Sequence, residues 1–341
     1  MTEKQYGGAT GRGMGKIETQ VKTPAMMEKR KEENKIAREV NSENSDLIDR
    51  EKSLKAGKIA SEMRKYAKSF IKKDMLLVEI ADKIEAKAVE LGAKPAFPTC
   101  LSINEIAAHD TPAFNDTRKA HGLLKVDFGA HIDGYIADTA FSIDLENSDE
   151  NKKLIMAAEK AFLAACKKIN VGTMTGEIGA AIEKEITSMG FSPVHNLSGH
   201  SIERYHLHAG ITIPNYNNLQ NKELQAGVYA IEPFATNGLG KIRDGKPSGI
   251  YRLEKETPVR DAFAREVLAF IYEEYQTIPF CARWIYKKFG SRGLLALRRI
   301  EEAGIVHHYA QLIEISGKNV AQAEHTVMIE KDKKTITTLE N

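Results

Sequence analysis

Cysteine is scarce in this chain: Cys100, Cys166 and Cys281 are the only three in 341 residues, widely spaced and odd in number. That pattern is neither a disulfide framework nor a zinc ribbon, and it points to a reducing compartment, with the cytoplasm as the expected location. Net charge is scarce as well. The formal value is +2, so nothing global advertises a nucleic-acid or anionic-membrane partner. No run of about 18 apolar residues is present and the N-terminus lacks an apolar signal core, so membrane-spanning and secretory readings both fail. What is there is the composition of an ordinary globular chain, 42% hydrophobic and 28% charged. The length suits one large domain or two ordinary ones.

Residues 1–45 hold Gly7, Gly8, Gly11, Gly13 and Gly15, then a Lys/Glu/Arg-rich stretch from Glu28 to Glu39 with few apolar side chains. Such a segment buries too little surface to offset its ordering entropy, and a flexible tail is expected. Gly15-Lys16 superficially suggests a phosphate-binding loop. However, Ile17 stands at the Ser/Thr position, Thr10 replaces the first required glycine and no strand precedes it. From residue 46 to 341 a single folded domain is expected. Leu47, Leu54, Ile59, Met63 and Phe70 recur near helical spacing, and a second helix is predicted over 75–91, with Asp74 as N-cap and Gly92 as stop. Further helices are predicted over 149–169 and, with Thr175 as its cap, up to Gly190, and extended pieces are predicted at 101–106, 211–214, 227–232 and 325–330. Interleaved helices and strands with frequent hairpins favour an α+β fold over a doubly wound parallel sheet. Apolar stripes between Glu254 and Gly304, broken at Gly290 and Gly293, predict a helical insertion at about 250–310. Its basic run, Arg283 to Arg299, reads as a solvated helix surface, and no specific nucleic-acid partner is expected.

The chemistry begins with Asp127 and Asp138, on two adjoining strand-like runs joined by His131-Ile132-Asp133-Gly134. Asp-Gly is a strong hairpin signal. A loop centred on Ile132 and Asp133 sets Asp127 opposite Asp138, whereas an Asp133-Gly134 tight turn sets it opposite Ala140, on the same face as Asp138. In either register the carboxylates lie about 5–8 Å apart. Val126, Phe128, Ile136, Ala137, Ala140, Phe141 and Ile143 make this hairpin too apolar for solvated carboxylates, and unpaired buried charge is costly. A divalent cation between them resolves the repulsion. His200 in Asn-Leu-Ser-Gly-His, Glu232 in Tyr-Ala-Ile-Glu-Pro-Phe and Glu324 in Ala-Gln-Ala-Glu-His-Thr are the candidates to complete the site. Two Asp, one His and two Glu make a cage suited to two adjacent divalent ions, with manganese, iron, cobalt and zinc all tolerated.

Six ordered motifs carry a resemblance. Ser102 to His109, Val126-Asp127-Phe128-Gly129, Ile136 to Ala140, Leu207-His208-Ala209-Gly210, Ala230 to Phe234 and Glu324-His325-Thr326 resemble the methionine aminopeptidases from about residue 46 to the C-terminus. The resemblance implies the "pita-bread" fold, a pseudo-twofold α+β domain with a dinuclear metal centre between its halves. The 92 positions between Glu232 and Glu324 leave room for the helical insertion of the type 2, archaeal-style enzymes. It also implies residue roles. Asp127 would bind one metal, Asp138 and Glu324 would bridge both, and His200 and Glu232 would bind the other, Glu232 also accepting a proton. His109 and His208 would contact substrate and the developing oxyanion, and Phe97, Tyr309 and Leu312 would line the methionine pocket. The substrate would be nascent polypeptide N-termini with a small second residue, handled by a cytoplasmic monomer with ribosome association as a further expectation. Ala323, where the family usually has Phe, and His308 and Ala310, where prolines usually flank the pocket tyrosine, depart from the pattern.

Overall fold

The computed structural model describes residues 42–219 and 222–340, residues 42–49 as helix backbone only. The tail expected over 1–45 lies outside the described residues, except that a helix already begins at Ser42. The chain divides into two units, Met1–Ile48 and Asp49–Asn341, and the second holds every strand of the protein described. Helices α1 (Ser42–Phe70) and α2 (Leu77–Glu90) lead into strands β1 (Lys94–Pro95), β2 (Cys100–Ile103), β3 (Ile106–Ala108), β4 (Leu123–Ile132) and β5 (Tyr135–Asp144). Helices α3 (Asp149–Lys168) and α4 (Thr175–Ser188) then lead into β6 (Ser192–Pro193), β7 (Ser198–Ile202), β8 (Thr212–Pro214), β9 (Gly227–Ile231) and β10 (Phe234–Thr236). This repeat of two helices and a set of strands makes the two halves of the pita-bread architecture. The rest comprises β11 (Ile242–Leu253), α5 (Ala262–Glu274), β12 (Phe280–Cys281), α6 (Ala282–Glu302), β13 (Val306–Glu314), β14 (Val320–Gln322), β15 (Glu324–Glu330) and β16 (Lys333–Ile336).

The main sheet runs β1-β4-β5-β15-β9-β7-β8, so β15, from late in the chain, joins β5 of the first half to β9 of the second. Pleating sorts the side chains. Val126, Phe128 and Ala130 of β4 and Ala137 and Phe141 of β5 pack against Ile59, Met63, Leu77, Ile80 and Ile84 of α1 and α2. Val327 and Ile329 of β15 pack against Leu154, Phe162, Ile178 and Ile182 of α3 and α4. Each fully buried side chain of this size contributes about 1.5–3 kcal/mol. The alternate residues, Asp127, Asp138, Ala140 and Glu324, are left for the opposite face.

The hairpin adopts the tight-turn register. Ile132 pairs with Tyr135 and Asp127 with Ala140, and Asp133 and Gly134 take φ of 50° and 87°, the two positive values that a type I′ turn needs. The Asp74 cap is corrected. Asp74 has a φ of 68° and lies in the turn before α2, whose N-cap is Leu76 with no side-chain cap bond. The Thr175 cap is corrected too: the cap of α4 falls to Met174, with Thr175 as the first helical residue. Between Glu254 and Gly304, α5 and α6 close over their own apolar cluster, including Val267, Ile271, Phe280, Ile285, Leu297 and Ile300. Two long strands flank it and were not foreseen: β11 and β13 pair with each other, with β12 and β3 at the edges of a second sheet. The basic run of α6 is matched locally. Arg298 meets Glu302 at 2.9 Å, Arg299 meets Asp261 at 2.5 Å, Lys287 meets Asp82 at 2.7 Å, and Arg292 lies over the Phe263 ring at 4.4 Å.

Candidate metal centre

Two rows of strand pairing assemble the cluster. Asp127 of β4, Ala140 of β5 and Glu324 of β15 lie side by side, as do His200 of β7, Ala230 of β9 and Thr326 of β15. An alanine at the centre of each row leaves space between the polar groups. Glu232 follows the end of β9, and Asp138 sits two residues before Ala140 on the same face. Asp138 is fixed through its backbone: its N–H donates to Thr326 Oγ1 at 2.7 Å, and that hydroxyl donates back to the Asp138 carbonyl at 2.8 Å. Gly199 is required beside His200, because a Cβ there would stand 2.4 Å from the Ala230 carbonyl oxygen.

The five residues converge. Ligand atoms of Asp138, His200 and Glu324 lie within 4.8 Å of one another, and so do those of Asp127, Glu232 and Glu324. Glu324 is common to both groups. Glu232 is grouped with Asp127 because a residue that the sequence does not betray holds them together: Gln322 Nε2 donates to Asp127 Oδ2 at 3.1 Å and to Glu232 Oε1 at 2.8 Å. Behind the sheet, buried Arg64 donates to the Ala140 carbonyl at 2.6 Å and to Thr139 Oγ1 at 3.0 Å, while Thr139 Oγ1 donates to the Glu324 carbonyl at 2.9 Å. Neither Gln322 nor Arg64 carries a local signal, since their partners are distant in the chain.

The electrostatics call for cations. Burial pushes the Asp127 carboxyl up to about 7, opposed by the Gln322 hydrogen bond. Burial, reinforced by neighbouring carboxylates, holds Asp138, Glu232 and Glu324 well above the usual range. Buried oxygens of Asp127, Asp138 and Glu324 have no hydrogen-bond partner. Burial lowers His200 to about 4; its Nδ1 contacts the Ser201 carbonyl at 3.3 Å and its Nε2 faces Asp138 Oδ2 at 3.6 Å. A neutral imidazole anchored through one nitrogen presents the other as a donor to a metal. Five convergent oxygen and nitrogen donors with orphaned lone pairs fit divalent ions.

Asp127, Asp138, His200 and Glu232 of the cluster line a cavity of about 330 Å³ together with Phe97, His109, His208, Tyr309 and Leu312. His208 packs edge-on to His200, ring centroids 4.4 Å apart, and burial with the neighbouring histidines holds it well below its ordinary value. Burial lowers His109 to about 4. It has a φ of 59° and meets the Tyr309 ring edge-on at 5.3 Å. The departures at the tyrosine are accommodated. His308 Nε2 accepts from the Gly249 N–H at 3.0 Å, leaving Nδ1 to donate to Glu301 Oε1 at 2.8 Å, and Ser248 Oγ donates to the Tyr309 carbonyl at 2.8 Å. Ala323 is buried in the core of the second half.

A buried cluster of convergent candidate metal ligands beside an apolar-walled cavity is the arrangement of a metallohydrolase site. Residues 51–331 match the model of metallopeptidase family M24, and the chain belongs to that family. It is 47% identical to the methionine aminopeptidase of Pyrococcus horikoshii, over 85% of this chain and 100% of that protein. The solved methionine aminopeptidase of Thermotoga maritima shares the fold at a TM-score of 0.62 and 22% identity, covering 85% of this chain and 96% of that one. A structure of a thermophilic Arx1 does so at 0.72 and 14% identity, covering 84% and 89%.

Proposed function

We propose that this chain removes the N-terminal methionine from peptides and nascent proteins, preferring a small second residue, at a centre of two divalent ions held by Asp127, Asp138, His200, Glu232 and Glu324. The convergence of those five donors into two groups sharing Glu324 carries the reading. The family resemblance adds a division in which Asp138 and Glu324 would serve both ions, Asp127 one, and His200 and Glu232 the other; in the structure Glu232 stands with Asp127, and His200 with Asp138. When bound, such ions would neutralise the carboxylates, polarise a carbonyl and acidify a water. The protein's own groups do the rest. Glu232 accepts the proton of the attacking water and passes it to the leaving amine. His208 and His109, neutral at physiological pH, donate hydrogen bonds to substrate and to the carbonyl oxygen as charge develops there. Phe97, Tyr309 and Leu312 surround the thioether side chain, whose flexibility suits a mixed aromatic and aliphatic wall. The type 2, archaeal-style subclass rests on the insertion between Glu232 and Glu324.

The test is methionine release from Met-Ala-type peptides by protein loaded with cobalt or manganese, beside an X-Pro dipeptide control. Release that is lost in Asp138→Ala supports the reading; no release from wild type under any metal sinks it. The reading includes a cytoplasmic monomer that docks on ribosomes, which size-exclusion chromatography and co-sedimentation with and without residues 1–45 examine.

A further inference from the structure

The catalytic cavity does not end at His208. A second cavity of about 390 Å³ shares Leu207, His208 and Pro279 with it and adds His206, Arg252, Leu253, Glu254 and Thr277. The two differ in chemistry. The first is walled by Phe97, Tyr309 and Leu312, the second by a charged pair at the root of the insertion. Arg252 Nη2 meets Glu254 Oε1 at 2.9 Å, with the side chains 38% and 39% exposed. Both backbones are held. Arg252 lies in the β11–β13 ladder opposite His307, and the Glu254 N–H donates to the Ile305 carbonyl at 2.9 Å. Both charges act on Tyr309, and that of Arg252 also acts on His208.

The proposed reaction, on which the inference rests, gives a peptide a path through both cavities. The methionine side chain fills the apolar chamber and the scissile carbonyl lies between the carboxylate cluster and His208. The residues after the scissile bond must then leave past His208, where the second cavity begins. We infer that this polar cavity is the subsite for the downstream peptide, and that Arg252 selects an acidic side chain at the third position. Glu254 limits the selection by neutralising part of the guanidinium charge. A half-exposed ion pair of this kind changes binding by about two- to five-fold, and the effect is screened by salt over a Debye length of about 8 Å at physiological ionic strength.

The experiment uses metal-loaded, full-length protein and C-terminally amidated pentapeptides Met-Ala-X-Gly-Gly with X as Glu, Gln or Lys. The readout is the ratio of kcat/KM for Glu over Lys, with kcat and KM resolved separately. Wild type should favour Glu by about two- to five-fold through KM, less so in high salt. Glu254→Gln should widen the ratio. Arg252→Gln should invert it, because Glu254 then faces the peptide alone, and Arg252→Lys should keep its direction. Equal rates for Glu and Lys in wild type, or a ratio untouched by Arg252→Gln in a variant whose thermal unfolding matches wild type, would overturn the inference while leaving methionine release intact. No release from any of the three peptides would instead overturn the function on which it rests.

Discussion

Loading the centre with metal should release protons, and the number should depend on pH in a direction the structure dictates. The perturbation is titration of metal-free protein with manganese at pH 6 and at pH 8. Asp127, raised to about 7 by burial, is about nine-tenths protonated at pH 6 and about one-tenth at pH 8 in the metal-free protein. A cation requires it ionised, so Asp127 alone should give up about 0.8 proton more at the lower pH. Integrated over the interval, that is about 1.4 kcal/mol, or a ten-fold tightening of metal affinity from pH 6 to pH 8. Asp127 opens onto the cavity, so water there makes ten-fold the upper end for this group. Asp138, Glu232 and Glu324, also held well above the usual carboxylate range, add to it. His200 adds little, because at about 4 it is already neutral at both pH values. Calorimetry in two buffers of different ionisation enthalpy reads the proton count directly. Thermal stability is the poorer assay. The raised carboxyls favour the metal-free fold at low pH and lose that contribution as pH rises through their folded values, whereas buried histidines such as His131, lowered to about 4, contribute above pH 6.5 and lose it as pH falls. The two trends oppose each other. Buffer-independent binding heats, or affinity that weakens toward pH 8, would refute the reasoning.

Asp138→Asn should abolish binding of both ions, whereas Asp127→Asn should leave one; elemental analysis of the purified variants counts them. Gln322→Leu should weaken metal binding by about 10- to 100-fold by freeing Asp127 and Glu232 from their shared donor, and an unchanged titration curve would show that Gln322 orients nothing. Arg283 is 1% exposed and holds Glu85 through two bonds of 2.7 Å. Arg283→Ala leaves that carboxylate buried and should cost about 3–5 kcal/mol, a fall in Tm of roughly 10 °C for a domain of this size. The double change Arg283→Met with Glu85→Gln should recover part of it, because a neutral amide oxygen can still accept from the Thr99 N–H or Trp284 Nε1; a single-variant loss under about 1 kcal/mol would contradict this account.

The parts legible from sequence were those whose signal is local. The Asp133-Gly134 dipeptide announced the hairpin, and only its register awaited the backbone, because both registers keep Asp127 and Asp138 on one face. The helices of the first half followed from apolar spacing and from the glycine stop. Strands β11 and β13 escaped notice because Gly245, Pro247 and Gly249 interrupt the alternation along β11, and the ladder shifts register between Asp244 and Pro247 and again before Tyr251. Asp74 failed as a cap because its left-handed backbone conformation puts it outside the helix start. Gln322 sits 195 positions from Asp127 and 90 from Glu232, and a glutamine between two alanines gives no hint of either. The five ligand candidates were legible for the opposite reason: carboxylates and an imidazole set in apolar strands conflict with their own neighbours, and that conflict is visible locally.

The same conflict explains how the fold tolerates the cluster. Three carboxyls on one face of a sheet, with Glu232 just beyond β9, repel each other, and their burial is supported by the apolar packing of the other face and by the Gln322 amide. Backbone contacts do the positioning: Thr326 brackets Asp138, and Arg64 holds the Ala140 carbonyl and, through Thr139, the Glu324 carbonyl. The insertion adds a second restraint. Arg283 at the start of α6 grips Glu85 of α2, and Glu85 Oε1 accepts the Thr99 N–H at 3.1 Å, between Pro98 and Cys100 of the cavity wall. A helix that contributes no metal donor thus fixes the wall facing the metal centre. Loosening that grip should therefore raise KM for methionyl peptides more than it lowers metal affinity, because the donors are anchored through the sheet and the pocket wall through the insertion.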